Sequence, residues 1–284
     1  MMTRKTNRSL VLMTDFGLSE SFVASMKGVA ISVYPDIRLF DLTHNIEPFN
    51  VLEGAYALAE TIIYWPEETV FVAVVDPGVG TERRSIVCRT NSGHYIMCPD
   101  NGLLSIVRKE IGLKEIRIIN TDLHRLQGSE SFHTFHGRDI YAYNGSRLAA
   151  GLIELKELGD KSTNELVELE SNTPSITGNI LSGTVIKIER PFGNLTTDIP
   201  GSMLREADIS EGVNLEITLI KAGNEIELRI PFNRSFGYVE EGEALCYLDS
   251  SGRLGLAVNQ HSFVERVNIK KAFSWKIKVK VHMD

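Results

Sequence analysis

Three apolar stretches near the start of the chain each run into an aspartate that a glycine follows two positions later. They are LVLMTDFG (10–17), FVAVVDPGVG (71–80) and YIMCPDNG (95–102). An aspartate and glycine after a strand can form no more than a turn. In an open α/β sheet, however, ligands lie beyond the carboxyl ends of the strands, so Asp15, Asp76 and Asp100 would converge on one crevice. Because FHGRD (135–139) adds a histidine and an arginine to the same half of the chain, the pattern favours an active site.

Between these stretches, apolar residues recur at the spacing of a helix. Such stripes run through residues 20–34 and 51–63, and a proline ends each of them. Each stripe is followed by a predicted strand, IRLFDL (37–42) after the first and TVFVAVV (69–75) after the second. Alternation of strands and helices with right-handed crossovers predicts a mostly parallel sheet covered on both faces. We therefore expect a Rossmann-like α/β domain over residues 1–172.

The second half of the chain has a different pattern of apolar and polar residues. LEITLIKAGNEIELRI (215–230) alternates apolar and polar residues on both sides of a turn at 222–224, which is a hairpin signal. EALCYLDSSGRLGLAV (243–258) repeats the arrangement, and SWKIKVKVHM (274–283) alternates as well. These patterns predict a small all-β domain over residues 173–284.

Composition excludes several classes of function. The net charge is −7 and no segment has a basic excess, which argues against nucleic acid as a partner. We expect no membrane role, because no apolar run approaches spanning length and MMTRKTNRS at the start is too short and polar for a signal peptide. The cysteines, Cys88, Cys98 and Cys246, are odd in number and lack CxxC spacing. They favour buried thiols in a reducing cytoplasm, and therefore a cytoplasmic protein, over disulfides or a metal site.

Six short motifs occur in order along nearly the whole chain. They are TDFG (14–17), DLTH (41–44), VDPGVGTERR (75–84), PDNG (99–102), FHGRD (135–139) and PFGN (191–194). Together they resemble the S-adenosyl-L-methionine (SAM) hydroxide adenosyltransferases, which are related to the fluorinase and chlorinase enzymes. The resemblance implies hydrolysis of SAM to adenosine and L-methionine without a metal or other cofactor. It also implies that the second domain is barrel-like, and that a homotrimer carries its active sites between subunits.

The resemblance assigns Asp76, Arg83 and His136 as the catalytic residues. The assignment is chemically sensible because water, with a pKa near ~15.7, must lose a proton before it attacks the ribose C5′. One member of an Asp–His pair can accept that proton while its partner fixes the imidazole, and a guanidinium stabilises the hydroxide. Whether His136 or Asp76 takes the proton stays open. Other roles are possible for each residue: Arg83 and its neighbour Arg84 could both be surface charges, His136 a structural donor and Asp76 a turn cap.

Four residues of the first domain match substrate-binding positions of the family. Asp15 would accept hydrogen bonds from the ribose hydroxyls, as acidic residues do beyond many nucleotide-binding strands. Glu20 and Ser21 match positions near the amino-acid part of the substrate. Phe49 matches an aromatic wall, whose face can stack on a sugar or adenine and attract a sulfonium. The alternative for Phe49 is an ordinary core side chain.

The resemblance places further substrate contacts in the second domain. Phe192 and Asn194 match the adenine-binding motif, which combines an aromatic face with an amide suited to a purine edge. Ser250 matches a position that holds the methionine carboxylate, and Asn259 lies in a segment that closes over the base.

The chain also departs from the family pattern. Glu189 stands where we expect an aspartate that contacts substrate, and Ser251 stands where the halide enzymes carry arginine. Gly137 replaces the hydroxyl residue of the halide enzymes, which favours hydrolysis over a SAM-dependent halogenase. A non-catalytic SAM or adenosine binding module would need a broken triad, whereas Asp76, Arg83 and His136 are all present in this chain. A metal-dependent phosphohydrolase is disfavoured because DxD, HxH and HExxH spacings are missing.

Overall fold

The computed structural model describes residues 7–162, 165–169, 173–272 and 275–281. The chain divides into two compact units, Met1–Leu169 and Glu170–Asp284. The boundary that we predicted at residue 172 lies outside the described residues.

The first unit alternates strands and helices over most of its length. Its strands are β1 (Ser9–Thr14), β2 (Arg38–Thr43), β3 (Val70–Val74), β4 (Ser85–Thr90), β5 (Tyr95–Pro99) and β6 (Leu113–Ile118). Its helices are α1 (Phe22–Val33), α2 (Val51–Ile62), α3 (Ser105–Glu110) and α4 (Tyr143–Ala149), with a π-helix at Gly137–Ala142 and a 3₁₀ turn at Leu155–Glu157. The helices and strands predicted from apolar spacing are confirmed. Among the described residues, no helix is long and apolar enough to cross a membrane.

Six strands form one sheet in the order β2-β1-β3-β5-β4-β6. The pairs β1–β2, β1–β3 and β3–β5 are parallel, so the predicted mostly parallel sheet is confirmed. Strand β4 runs antiparallel to both neighbours, because the four residues between β4 and β5 are too few for a crossover. The amino end of β4 therefore lies at the same edge of the sheet as the carboxyl ends of β1, β3 and β5.

Helices cover both faces of this sheet. Leu10 and Leu12 of β1 belong to an apolar cluster with α1 and α4, whereas Met13, on the opposite face, lies against α2. The approach of α4 is so close that a methyl group at Gly145 would lie 2.6 Å from Val72. Buried faces on both sides explain why β1 and β3 are continuous apolar runs instead of alternating ones.

The second unit is built almost entirely of strands. They are β7 (Ser175–Thr177), β8 (Ile180–Glu189), β9 (Asn194–Pro200), β10 (Asn214–Lys221), β11 (Asn224–Pro231), β12 (Ala244–Leu248), β13 (Arg253–Val258) and β14 (Lys276–Val281). Two short helices, α5 (Gly201–Glu206) and α6 (Phe263–Arg266), and a 3₁₀ turn at Phe236–Tyr238 connect them. The predicted all-β character is confirmed.

These strands pair antiparallel in the order β11-β10-β14-β8-β9-β13-β12, and β7 pairs with β8. Phe232, directly after β11, bridges to Cys246 of β12, which brings the two ends of the sheet together as a nearly closed barrel. The predicted hairpin has Lys221 opposite Asn224, with positive φ at Ala222 (48°) and Gly223 (84°). Two positive φ angles define the tight turn that matches the twist of antiparallel strands.

Candidate active site

The candidate site of the first unit lies at one edge of the α/β sheet. Asp15 follows β1, Asp76 lies two residues beyond β3, and Arg83 lies two residues before β4. Because β4 runs opposite to β3 and β5, its amino end delivers the arginine to the edge where the aspartates emerge. The motif register favoured Arg83 over Arg84 as the site residue, and the direction of β4 gives the physical cause of its position beside Asp76. The expected Asp–His pair is not present, because Arg83 lies between Asp76 and His136.

Asp76 and Arg83 form a two-point ion pair. Arg83 Nε donates to Asp76 Oδ1 over 2.9 Å, and Arg83 Nη2 donates to Oδ2. Arg83 Nη1 also donates to Ser85 Oγ over 3.0 Å, and that hydroxyl lies 2.9 Å from Tyr141 OH. The two charged side chains are almost fully buried, at 4% exposure for Asp76 and 9% for Arg83. The guanidinium is therefore held in one orientation, as recognition of a developing charge requires.

His136 completes the cluster from the residue before the π-helix. Its Nδ1 lies 3.0 Å from Arg83 Nη2, and its side chain is buried. Burial, followed by the charges of Arg83 and Arg125, lowers the pKa of His136 to about 4. The imidazole is consequently neutral near pH 7. Since a guanidinium can only donate, Nδ1 is the acceptor and Nε2 carries the hydrogen.

Asp15 lies beside this cluster and is bound differently. Its Oδ2 accepts a hydrogen bond from the backbone N–H of Phe49 over 2.9 Å. Burial raises the pKa of Asp15 and the charge of Asp76 adds to this, while the Phe49 N–H opposes it. The ring of Phe49 is 71% exposed, so the alternative that it is a core side chain is wrong.

Glu20 and Ser21 are exposed residues at the start of α1. Ser21 holds the N-cap position, but its hydroxyl makes no capping bond to the helix. Both residues lie after the loop that carries Asp15, and their contact with substrate stays a prediction. Within the described residues, no group of three His, Cys, Asp or Glu side chains is arranged to hold a metal ion.

The β unit has a candidate site of its own, a cavity of about 720 Å³. All five second-domain residues named from the sequence line it, namely Glu189, Phe192, Asn194, Ser250 and Asn259. The cavity lies beside the β8–β9 turn and the β12–β13 turn, so short hairpin connections bring these residues together. Its apolar and amide surfaces are of the kind that bind a purine.

Comparisons with known proteins match each of the two units. Residues 10–159 match the SAM hydroxide adenosyltransferase N-terminal domain, and residues 183–276 match the C-terminal domain of the same family. The chain belongs to this family.

Several members of the family and its relatives are similar over most of their length. An (R)-S-adenosyl-L-methionine hydrolase of Methanocaldococcus jannaschii is 35% identical, with 87% of each chain covered. A fluorinase of Nocardia brasiliensis is 31% identical, covering 95% of this chain and 96% of its own. The crystal structure of an uncharacterized conserved protein from Thermotoga maritima superposes with a TM-score of 0.85 at 32% identity, covering 95% of this chain and 99% of its own.

Glu189 departs from the aspartate of the family pattern, yet its carboxylate is firmly held. Its Oε2 accepts from Asn194 Nδ2 and from Tyr247 OH, each over 3.2 Å, and its Oε1 accepts from Thr196 Oγ1 over 3.1 Å. Burial raises the pKa of Tyr247, and the charge of Glu189 adds to it, so the phenol stays protonated as a donor. The longer side chain is therefore anchored to the strands, and it orients the amide of Asn194 in the cavity.

The other departure from the family pattern has a local explanation. The hydroxyl of Ser251 donates to Asp249 Oδ1 over 2.7 Å, within the turn between β12 and β13. Ser251 thus stabilises the turn, and the exposed Ser250 is the residue that faces the cavity.

Sequence reasoning missed two aromatic residues of this cavity. The rings of Phe236 and Tyr247 lie 4.9 Å apart between centroids, and both line the cavity. Strand alternation could have indicated Tyr247, because it points away from the barrel core that holds Cys246. Phe236 lies in an irregular turn and carries no periodic signal.

Proposed function

We propose that this protein hydrolyses SAM to adenosine and L-methionine. The observation that carries the proposal is the buried cluster of Asp76, Arg83 and His136 at the sheet edge, in a chain whose relatives include named SAM hydrolases. Binding of adenine and methionine belongs to the cavity of the β unit, with Phe192 and Asn194 at the base and Ser250 at the methionine carboxylate. Asp15 binds the ribose hydroxyls.

The reaction is a displacement at the ribose C5′. The oxygen of water forms the new C–O bond while the C–S bond breaks, both electrons pass to sulfur, and methionine departs as a neutral thioether. The water proton must leave, which makes generation of the nucleophile the demanding step. The charge of Arg83 stabilises the hydroxide in a site where water is largely excluded.

We assign acceptance of the proton to Asp76. His136 is not the base because the single lone pair of its neutral ring, on Nδ1, already accepts from Arg83. Each oxygen of Asp76 accepts one bond from Arg83 and keeps another lone pair. His136 therefore holds the guanidinium in place, and the carboxylate takes the proton.

The relatives suggest which form of the substrate is used. Their names specify the R form of SAM, and the sulfonium sulfur of SAM is a stereocentre. We propose that this protein prefers the R epimer at sulfur as well. Separate assays with the two sulfonium epimers test this, and equal kcat/KM for both epimers would contradict it.

A halide in place of water is the alternative that the fluorinase relatives raise. The packing at position 137 disfavours a halide as the nucleophile. A methyl group at Gly137 would lie 3.3 Å from the ring of Phe16, so a hydroxyl side chain could enter only if that ring moved. Formation of 5′-chloro- or 5′-fluoro-5′-deoxyadenosine in the presence of the halide would favour the alternative.

We also propose a metal-independent homotrimer located in the cytoplasm. Arg83 already supplies a positive charge to both oxygens of Asp76, which is the role a metal would otherwise take. Phe49 and Phe192 are 71% and 68% exposed, and large aromatic faces of this kind are commonly covered in an assembly. Light scattering tests the assembly, since a trimer has three times the 31.7 kDa of one chain.

The decisive experiment follows the oxygen atom. The purified protein is incubated with SAM in H₂¹⁸O, with and without chelator. The products are separated by chromatography, and their masses are measured by mass spectrometry. We expect adenosine with ¹⁸O in its 5′-hydroxyl, unlabelled methionine, and an equal rate with chelator. Absence of adenosine, or adenosine without the label, would exclude the proposed reaction, and Arg83→Gln is the inactive control.

A further inference from the structure

Both ring nitrogens of His136 face arginine side chains. Arg83 Nη2 lies 3.0 Å from Nδ1, and Arg125 Nη2 lies 3.4 Å from Nε2. A neutral imidazole has one lone pair to offer two guanidinium groups, and the shorter, more deeply buried contact with Arg83 takes it. The contact with Arg125 is therefore electrostatic and not a hydrogen bond. The charge of Arg125 disfavours protonation of the ring.

The backbone around Arg125 is tied to the helix that follows His136. On one side, the carbonyl of His124 accepts from Asn144 Nδ2 over 2.6 Å, and on the other, the N–H of Leu126 donates to the carbonyl of Asp139 over 2.9 Å. Arg125 Nη1 also donates to the carbonyl of Phe132 over 3.1 Å. Two bonds thus fix the backbone on either side of Arg125, and one bond, to the Phe132 carbonyl, holds its guanidinium beside His136.

The charges that face His136 leave a positive excess. The two carboxylates are Asp76 and Asp139, and each is already paired with an arginine, Arg83 for the first and Arg138 for the second. Arg125 adds a further cation to this set. A proton on His136 would therefore meet repulsion from both sides of the ring.

We propose that Arg125 is a positioning residue that, together with burial and Arg83, keeps His136 neutral in mildly acidic solution and so keeps the Asp76–Arg83–His136 cluster assembled there. If His136 took up a proton, its Nδ1 would become a donor facing the N–H groups of Arg83, and the orientation of the guanidinium would be lost. Arg125 acts through His136, not on the substrate. The proposal rests on the proposed function only for its effect on turnover, because its effect on the imidazole is measurable without substrate.

The test compares Arg125→Gln and Arg125→Lys with the wild type. The titration of His136 is followed by NMR of histidine-labelled protein, with His136→Gln used to assign its signal among the seven histidines. Removal of the charge should raise the pKa of His136 by about one unit, because a nearby like charge disfavours the protonated ring by about that amount. Arg125→Lys retains the charge and should titrate like the wild type.

Kinetics supply the second readout. The acid limb of kcat/KM should move to higher pH by about one unit in Arg125→Gln, with KM at pH 8 nearly unchanged. Arg108→Gln is the matched control, since it removes an equal charge from an exposed pair with Glu168. Arg125→Met serves in place of the glutamine variant if that variant fails to fold.

The outcomes separate the two proposals. If the His136 titration in Arg125→Gln matches the wild type, the role of Arg125 is wrong, whatever the turnover. If the titration moves but the wild type forms no adenosine, the proposed function fails and the role of Arg125 in holding the cluster stands.

Discussion

Arg83 and Arg84 are neighbours in sequence, and each pairs with an aspartate that follows a strand of the sheet. Arg83 binds Asp76 beyond β3, and Arg84 binds Asp100 beyond β5. Successive side chains of an extended chain point in opposite directions, so the two arginines before β4 diverge. Both aspartates are almost fully buried, at 4% and 2% exposure, and the two pairs are chemically alike.

The pairs differ in what else they contact. Arg83 also reaches Ser85 and His136, whereas Arg84 also donates to the carbonyl of Glu165. Asp100 Oδ1 accepts from the N–H of Val167 over 3.0 Å. The second pair thus fastens residues 165–169 to the sheet, and the first faces an imidazole. A buried ion pair is not by itself an active site; the groups it faces decide its role.

The largest expected effect separates the two arginines by activity. Arg83→Gln should lower kcat by about 10² to 10⁴, because the cation that stabilises the hydroxide is lost. Arg84→Gln removes an equal charge one residue away and should change kcat by no more than about threefold. Steady-state kinetics with SAM affinity from calorimetry measure this. Equal losses in the two variants would mean that the two pairs form one functional unit.

This contrast also marks how far the sequence could predict the site. The strand-end aspartates, the helical stripes and the hairpin at Ala222 were predictable because apolar spacing and turn residues are local signals. The choice of Arg83 over Arg84 needed the family motif. The physical basis of this choice is the register of β4, in which Ser85 lies opposite Pro99. Strand register depends on tertiary pairing, so it cannot be read from two adjacent arginines in the sequence.

Arg125 was beyond sequence reasoning for a related reason. It lies eleven positions before His136 in a loop, and tertiary bonds of its neighbours His124 and Leu126 place it beside the imidazole. Asp100 is the converse case, since it has the same strand-end signal as Asp76 but binds Arg84 and the Val167 N–H instead of facing His136. The sequence pattern therefore located the edge of the sheet where the site lies. The side-chain contacts then distinguished the residues that face His136 from those that do not.

The second prediction tests the structural pair by stability. Asp100→Asn should lower the free energy of unfolding by about 2 to 3 kcal/mol, because Arg84 loses its partner at a site where the carboxylate is buried. The specific activity of the folded fraction should stay close to that of the wild type. Denaturant unfolding combined with kinetics measures both quantities. A large fall in kcat with unchanged stability would place Asp100 in the active site after all.

The third prediction concerns Asp15, the strand-end aspartate whose carboxylate accepts from a backbone N–H instead of pairing with an arginine at the sheet edge. Asp15→Asn keeps the size of the side chain but loses a charge that would accept bonds from ribose hydroxyls. Affinity for both SAM and adenosine should fall about tenfold, which corresponds to about 1.4 kcal/mol. Calorimetric titration of each ligand provides the measurement. Unchanged adenosine binding with a lowered kcat would assign Asp15 to catalysis instead of ribose recognition.

The smallest expected effect is the contribution of His136 to the pH dependence of the free energy of unfolding. Burial lowers the pKa of His136 from 6.5 to about 4, so the unfolded chain binds more protons than the folded protein between these values. Stability must then rise with pH across this window and be lost as the pH falls from about 6.5 toward 4. Between pH 7 and 5.5 the loss should be about 1 kcal/mol larger in the wild type than in His136→Gln. Arg84→Gln should keep the wild-type pH slope, because Arg84 faces Asp100 and the Glu165 carbonyl and not His136. Urea unfolding at several pH values compares these slopes, and equal slopes for wild type and His136→Gln would mean that His136 is not held neutral in the folded protein.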